Sequence, residues 1–210
     1  HDACGVGLVA NIKGGKSHDI ITKGIEVLVN LGHRGASGAD PETGDGAGLL
    51  IQMPHQFFAK EASKLGFELP SQGDYGVGSV FLPQDAEERK QCEDAIEWAV
   101  RDEGCRFLGW RDVPVDPDAI GSLARRVMPS IRQFFVGRPP SELDKVPFEL
   151  RLYIARRQIE NLVAAANLEQ VEDFYIVSLS SNKIVYKGLI LADQLDQFYA
   201  DLADEDMVSC

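Results

Sequence analysis

The chain has 210 residues, with 21 Lys+Arg against 33 Asp+Glu, a formal net charge of −12, 44% apolar and 26% charged residues. Those fractions are typical of globular protein and exclude wholesale disorder, and the acidic balance argues against a protein that tracks nucleic-acid phosphates. No apolar run approaches the roughly 18 residues of a membrane helix, so neither a nucleic acid nor a membrane is expected as a partner.

Val6, Leu8, Ala10 and Ile12 alternate, which predicts a strand over residues 5–12, followed by a Lys-Gly-Gly-Lys turn at 13–16. Ser17 is a suitable N-cap for a helix with the stripe Ile20/Ile21, Ile25, Leu28, Leu31, closed by Gly32. A Gly- and Asp-rich loop, His33 to Gly48, leads into a strand at 49–53 and a short helix at 54–65 with Gly66 past its end. Residues 75–82 read as a strand with Tyr75, Val77, Ser79 and Phe81 on one face and glycines on the other. Asp85 and Glu88 have the spacing of a capping box before a helix that runs to Glu103 and stops at Gly104. Cys92 lies on that helix's apolar stripe and is most simply a small core residue. A strand at 106–113 precedes Asp116-Pro117, an N-cap with Pro at the first helical position. Further strands are predicted at 131–136, 173–180 and 184–191, the last two as a hairpin about Ser181-Asn182, with helices at 148–166 and 192–202. Strands interleaved with helices, plus a hairpin, disfavour a purely parallel, doubly wound sheet and point to a layered α+β fold.

Four residue groups bear on chemistry. Cys4-Gly5-Val6-Gly7 puts glycines at alternate positions, leaving one strand face bare beside a thiol. The tetrad alone fits either a small buried residue of an edge strand or a nucleophile. A thiol near the usual pKa of about 8.5 is a few per cent thiolate at neutral pH and needs a base. No Cys-His-Asn grouping stands out, but a cysteine at a chain terminus can use its own α-amino group. In His33-Arg34-Gly35-Ala36 the arginine can offer its fork of donors to a carboxylate or pin neighbouring carbonyls. His33 alone is more simply a hydrogen-bonded structural histidine. Gly44-Asp45-Gly46-Ala47-Gly48 is neither a dinucleotide fingerprint nor a P-loop, and its aspartates lack the spacing of a Ca²⁺ loop. The four cysteines, Cys4, Cys92, Cys105 and Cys210, are scattered and form no Cys-x-x-Cys pair, which speaks against a disulfide framework or zinc site and fits a reducing compartment.

Joined in order, Cys-Gly-Val-Gly, a helix, and His-Arg-Gly-Ala-x-x-Ala-Asp-x-x-Thr-Gly-Asp-Gly-Ala-Gly resemble the glutamine amidotransferase domain of the glutamate synthase family. That domain is a class II, N-terminal-nucleophile type. The Cys-Gly and Arg-Gly pieces alone fit the wider class; the stretch from His33 to Gly48 points to glutamate synthases. Later segments support the resemblance, among them Pro54-His55-x-Phe57-Phe58, Gly109-Trp110-Arg111-x-Val113-Pro114 and Asp173-Phe174-Tyr175-Ile176.

The resemblance implies a four-layer αββα sandwich of the N-terminal-nucleophile hydrolase type, with residues 1–210 as its N-terminal part. It implies hydrolysis of L-glutamine to glutamate and ammonia through a Cys4 thioester, with the α-amine of Cys4 as base. Gly5, Arg34 and Gly35 would support the nucleophile loop or the substrate. Ammonia would pass to a synthase domain that converts 2-oxoglutarate to glutamate using FMN and an iron–sulfur cluster, neither of them held by this fragment. The implied partners are the remaining amidotransferase and synthase domains and an electron-donor subunit or ferredoxin, in the cytoplasm or, in a plant or alga, the plastid.

Two departures qualify it. His1-Asp2-Ala3 precede Cys4, so its nitrogen is an amide until the chain is cut after Ala3. The family's Arg-x-Ser-Thr-Asn and Asn-Gly motifs are expected beyond Val208-Ser209-Cys210, where a further strand begins, so the fragment alone is expected to be inactive and to expose apolar surface and strand edges. A non-catalytic domain of the same fold, or a related hydrolase acting on another amide, remain the alternatives.

Overall fold

The computed structural model describes residues 4–36, 40–140 and 146–210, and the chain divides into two units. One comprises Phe58–Asp112 and Pro129–Ile184; the other comprises His1–Phe57, Val113–Met128 and Val185–Cys210. The mixed helix and antiparallel-sheet content agrees with the α+β class expected from the sequence.

The first unit is built on a four-stranded sheet ordered β3-β4-β2-β5, from β2 (Tyr75–Leu82), β3 (Arg106–Asp112), β4 (Ser130–Gly137) and β5 (Tyr175–Ser180). All three pairings are antiparallel; β2 and β4 run in unbroken register from Tyr75 opposite Gly137 to Leu82 opposite Ser130. Helices α3 (Ala86–Asp102) and α5 (Phe148–Ala165) pack on each other, and their apolar stripes form one core with the sheet. Cys92, Ile96 and Ala99 from α3 meet Leu152, Ile159 and Val163 from α5 over Val80, Leu82, Phe134 and Val136.

The glycines of β2 do not line an open face. A Cβ on Gly78 would lie 2.2 Å from the Phe134 ring, and one on Gly76 2.7 Å from Leu152 Cδ1, so both positions are floors for large neighbours. The opposite face is covered too. Phe58, on α2 (His55–Lys64), stacks edge-on against Phe135 at 5.6 Å, and Phe67 lies 5.4 Å from the same ring. Also on this face, Arg111 is 3% exposed. It donates to Glu61 Oε2 from Nε and from Nη2 at 3.2 and 3.0 Å, and to Gln133 Oε1 at 3.0 Å. Burial pushes the Glu61 carboxyl up, but hydrogen bonds from Lys64 and Arg111, and their charges, hold it below its ordinary value. The motif residue Arg111 is thus a structural anchor.

Local signals set the ends of these elements. Asp85 accepts from the Glu87 and Glu88 amides, as an N-cap should. The reciprocal half of the capping box is not made. Glu88 accepts from the amides of Glu169 and Gln170, and Gln170 Oε1 accepts from the Asp85 amide. Gly66 and Gly104 adopt φ of +84° and +75° just past α2 and α3, the left-handed conformation that stops a helix.

The second unit contains α1 (His18–Asn30) and a two-stranded sheet of β1 (Ala47–Gln52) and β6 (Lys183–Gly188). Helix α4 (Ser122–Arg126) follows the Asp116-Pro117 turn, where Asp116 accepts from the Asp118 amide. Ser17 and Ser209 form an isolated antiparallel bridge, so the strand expected at 208–210 is represented by one residue pair.

Three sequence expectations are corrected. Residues 5–12 form no strand among the described residues; Val6, Leu8 and Ile12 are 90%, 90% and 102% exposed. Alternation marks an apolar face, but a strand requires a partner to pair its backbone, and here α1 lies beside the segment instead: a Cβ on Gly7 would approach Val27 Cγ1 to 2.3 Å. The hairpin about Ser181-Asn182 is not a paired hairpin. β5 pairs with β2 and β6 with β1, in different sheets. Glu149 holds the turn open by accepting from the Ser180 and Ser181 hydroxyls and the Ser181 amide, which leaves the two strands free to diverge. The helix expected at 192–202 is broken into a 3₁₀ turn, the four-residue α6 (Leu195–Phe198) and a second 3₁₀ turn. Phe198 and Tyr199 are both buried there, and Tyr199 donates to the Lys187 carbonyl at 2.7 Å.

Candidate active site

Cys4, Gly5, Arg34 and Gly35 all fall in the second unit. Helix α1 ends at Asn30, Leu31 caps it, and one 3₁₀ turn, Gly32–Arg34, redirects the chain. The Arg34 amide donates to Leu31 O at 2.8 Å and that of Gly35 to Gly32 O at 3.0 Å, which fixes Arg34 to the helix end. His33 Nδ1 lies 3.0 Å from Asn30 O, the structural role expected of it.

The N-terminal segment passes beside this turn. A Cβ on Gly5 would lie 3.3 Å from both Leu31 Cβ and Arg34 Cβ, so the glycine next to Cys4 rests against the stem of Arg34. Cys4, Gly5, Arg34 and Gly35 are all exposed, and Cys4 is a free thiol. Sequence order alone separates Gly5 from Arg34 by a whole helix; the fold brings them together. A cavity of about 410 Å³ opens beside them, bounded by Gly5–Val9, α1 residues from Ile20 to Leu28, and β1. The leader His1-Asp2-Ala3 and motif residues 37–39 lie outside the described residues.

Sequence reasoning gave the rest of the motif no role beyond a tight turn, and here it missed something. Asp40 Oδ1 accepts from the Glu42 amide at 3.1 Å. Its Oδ2 accepts from Thr43 Oγ1, Ser122 Oγ and the Leu123 amide at 2.9, 3.1 and 3.1 Å. The backbone donor of Leu123 first, then that of Glu42 and the hydroxyls, hold the Asp40 carboxyl down at about 2. The partners lie some eighty positions apart in the chain, and no local pattern announces them.

The other cysteines are unlike Cys4. Burial pushes the Cys92 thiol up to about 12 and the Cys105 thiol up to about 11, so both are inert core residues. Among the described residues no three His, Cys, Asp or Glu side chains are placed to hold a metal ion. No described helix is long and apolar enough to cross a membrane.

Comparison with known proteins gives a consistent picture. The family of class-II glutamine amidotransferases matches over residues 4–210. The chain is 48% identical over 209 residues to the glutamate synthase [NADPH] large chain of Bacillus subtilis, covering 100% of this chain and 13% of that protein. It is 45% identical over 208 residues to the corresponding large chain of Azospirillum brasilense, covering 98% and 13%. Identity to the chloroplastic ferredoxin-dependent glutamate synthase of Oryza sativa is 39% over 203 residues, covering 97% and 12%. The chain thus spans about an eighth of the length of these relatives.

Proposed function

Since the chain belongs to the class-II glutamine amidotransferases, we propose that it supplies the nucleophile half of a glutaminase site in a protein of the glutamate synthase type. The Cys4 sulfur attacks the side-chain amide carbonyl of L-glutamine, forming a C–S bond and a tetrahedral oxyanion. The C–N bond then breaks, the nitrogen leaves as ammonia with the proton taken from the thiol, and a γ-glutamyl thioester remains. Water cleaves it, releasing glutamate and restoring the thiol. The base is the α-amine of Cys4, free once the chain is cut after Ala3. Gly5, Arg34 and Gly35 form the supporting loop, with the Arg34 guanidinium offering its paired donors to the substrate carboxylate.

One observation carries this reading: the family match begins at Cys4, an exposed free thiol whose neighbour Gly5 lies against Arg34. In the parent protein the released ammonia feeds amination of 2-oxoglutarate to glutamate. FMN and the iron–sulfur cluster belong to other parts of that protein. The names of the relatives, NADPH-type and ferredoxin-dependent, frame the electron donor, and the cytoplasm or plastid is the proposed location.

The test uses the full-length protein. Glutamine-dependent ammonia release, and labelling of Cys4 by diazo-oxo-norleucine, are both expected and both lost in Cys4→Ala. Mass spectrometry of the mature N-terminus should find Cys4 first; a permanently retained His-Asp-Ala would overturn the catalytic reading in favour of a non-catalytic domain.

A further inference from the structure

Arg34 has to be held as well as present. Upstream it is fixed by the end of α1, through the hydrogen bond its amide donates to Leu31 O. Downstream, the segment after it is tied by the Asp45 amide, which donates to Ala36 O at 3.0 Å. A Cβ on Gly35 would also meet Asp45 Oδ1 at 3.5 Å. Where Asp45 sits therefore decides where residues 34–36 sit, and Asp45 follows directly on the loop that Asp40 organises.

That loop is clamped to two other stretches of the same unit. Asp40 reaches Ser122 and the Leu123 amide, Thr43 Oγ1 accepts from the Ala124 amide at 3.3 Å, and Glu42 O accepts from the Gly121 amide at 3.2 Å and from Gln194 Nε2 at 2.9 Å. The approach is as close as backbones allow. A Cβ on Gly121 would lie 2.4 Å from Thr43 Oγ1, and one on Gly44 2.4 Å from Ile190 O.

We propose that Asp40 and Thr43 form a latch that positions Arg34 against Gly5, making Asp40 a positioning residue for the site that Cys4 heads. The proposal rests on the glutaminase reading for its consequence and on geometry alone for its mechanics. Asp40 cannot touch the reacting atoms on this account. It acts by tying the Asp45 end of the loop to residues 121–124, so that the guanidinium stem enters the site from one direction. The low-lying carboxyl keeps the latch anionic at every working pH. A misplacement of about 1 Å at a positioning group is enough to cost roughly 100-fold in rate.

The experiment compares two alkylating probes on the full-length protein, diazo-oxo-norleucine, which must be oriented like glutamine, and iodoacetamide, which need not be. Asp40→Ala and Thr43→Val should slow labelling of Cys4 by the first roughly 10- to 100-fold while changing the second less than about twofold. KM for glutamine should rise more than kcat falls. Thr43→Ser keeps the Oγ and should restore what Thr43→Val loses. Asp116→Ala, which removes a cap elsewhere in the unit, should leave the ratio of the two rates unaltered. In parallel, hydrogen exchange of the peptide covering residues 34–36 should quicken in Asp40→Ala. An unchanged probe ratio together with unchanged exchange overturns the latch, as does equal slowing with both probes, which would mean general damage. Should wild-type Cys4 show no preference for the glutamine-like probe, the glutaminase reading fails, and exchange at 34–36 alone decides the latch.

Discussion

The core of the four-stranded unit and the loop beside Cys4 are held by different means. In the four-stranded unit both faces of β2 are covered, and Val80, Leu82, Phe134 and Ile159 are wholly buried. In the two-stranded unit Val6, Leu8 and Leu50 stand in solvent, and Ile21 is the one buried residue of α1. What orders the loop beside Cys4 is a set of hydrogen bonds focused on Asp40 and Thr43. Packing is insensitive to protons and tolerates little change of volume. Hydrogen-bonded loops tolerate changes of volume but respond to charge. The loop beside Cys4 is the one with the softer form of support.

The comparison breaks first at Phe134. Phe134→Ala should cost about 3–5 kcal/mol by opening a cavity over Gly78, read as faster native-state exchange of β2 and β4 amides. A change below 1 kcal/mol would mean that the four-stranded unit is not held by packing. Next, Glu61→Ala deprives the buried Arg111 of its carboxylate partner and should cost about 3 kcal/mol in the same measurement. Asp85→Ala should cost about 1 kcal/mol, confined to the first turns of α3.

Acid reaches both units through one carboxylate in each. Asp40 and Glu61 both titrate below their ordinary values, so the stability each adds is complete above the unfolded-chain value and is lost as pH falls through the folded one. For Asp40 that window runs from 3.8 down to about 2. The Leu123 amide resonance should therefore hold steady at neutral pH and shift only in that acid range, and in Asp40→Asn it should not titrate there. The smallest effect is expected at the open face, where Leu8→Ser should alter stability by less than about 0.5 kcal/mol yet reduce binding of an apolar dye.

The difference between the units also explains what could be read from sequence. The strand at 75–82 and the helix at 86–102 were legible to within a residue or two, because alternation, the Asp85 cap and Gly104 all act locally. Residues 5–12 misled for the same reason: their alternation is genuine, but pairing depends on a partner that no local pattern specifies. The turn at Ser181-Asn182 looked like a hairpin because its composition is that of one; Glu149, thirty positions earlier, directs the strands into different sheets. At the site, Cys4, Gly5 and Arg34 were legible as a motif, while the Asp40 contacts to Ser122 and Leu123 were not. A side chain that caps a short helix across eighty residues of chain leaves no spacing to read.

The divergence of β5 and β6 has a consequence for synthesis. A ribosome delivers the chain from its N-terminus, and every segment of the four-stranded unit lies between Phe58 and Ile184. That unit can close as soon as β5 has emerged. β1 ends at Gln52, yet its partner strand β6 begins only at Lys183. β1 therefore waits while about 130 further residues are made, with its backbone donors and acceptors unpaired, a vulnerable interval for any strand edge. The topology sets an order of assembly: the four-stranded unit can form first, and β1 of the unit that carries Cys4 is paired afterwards.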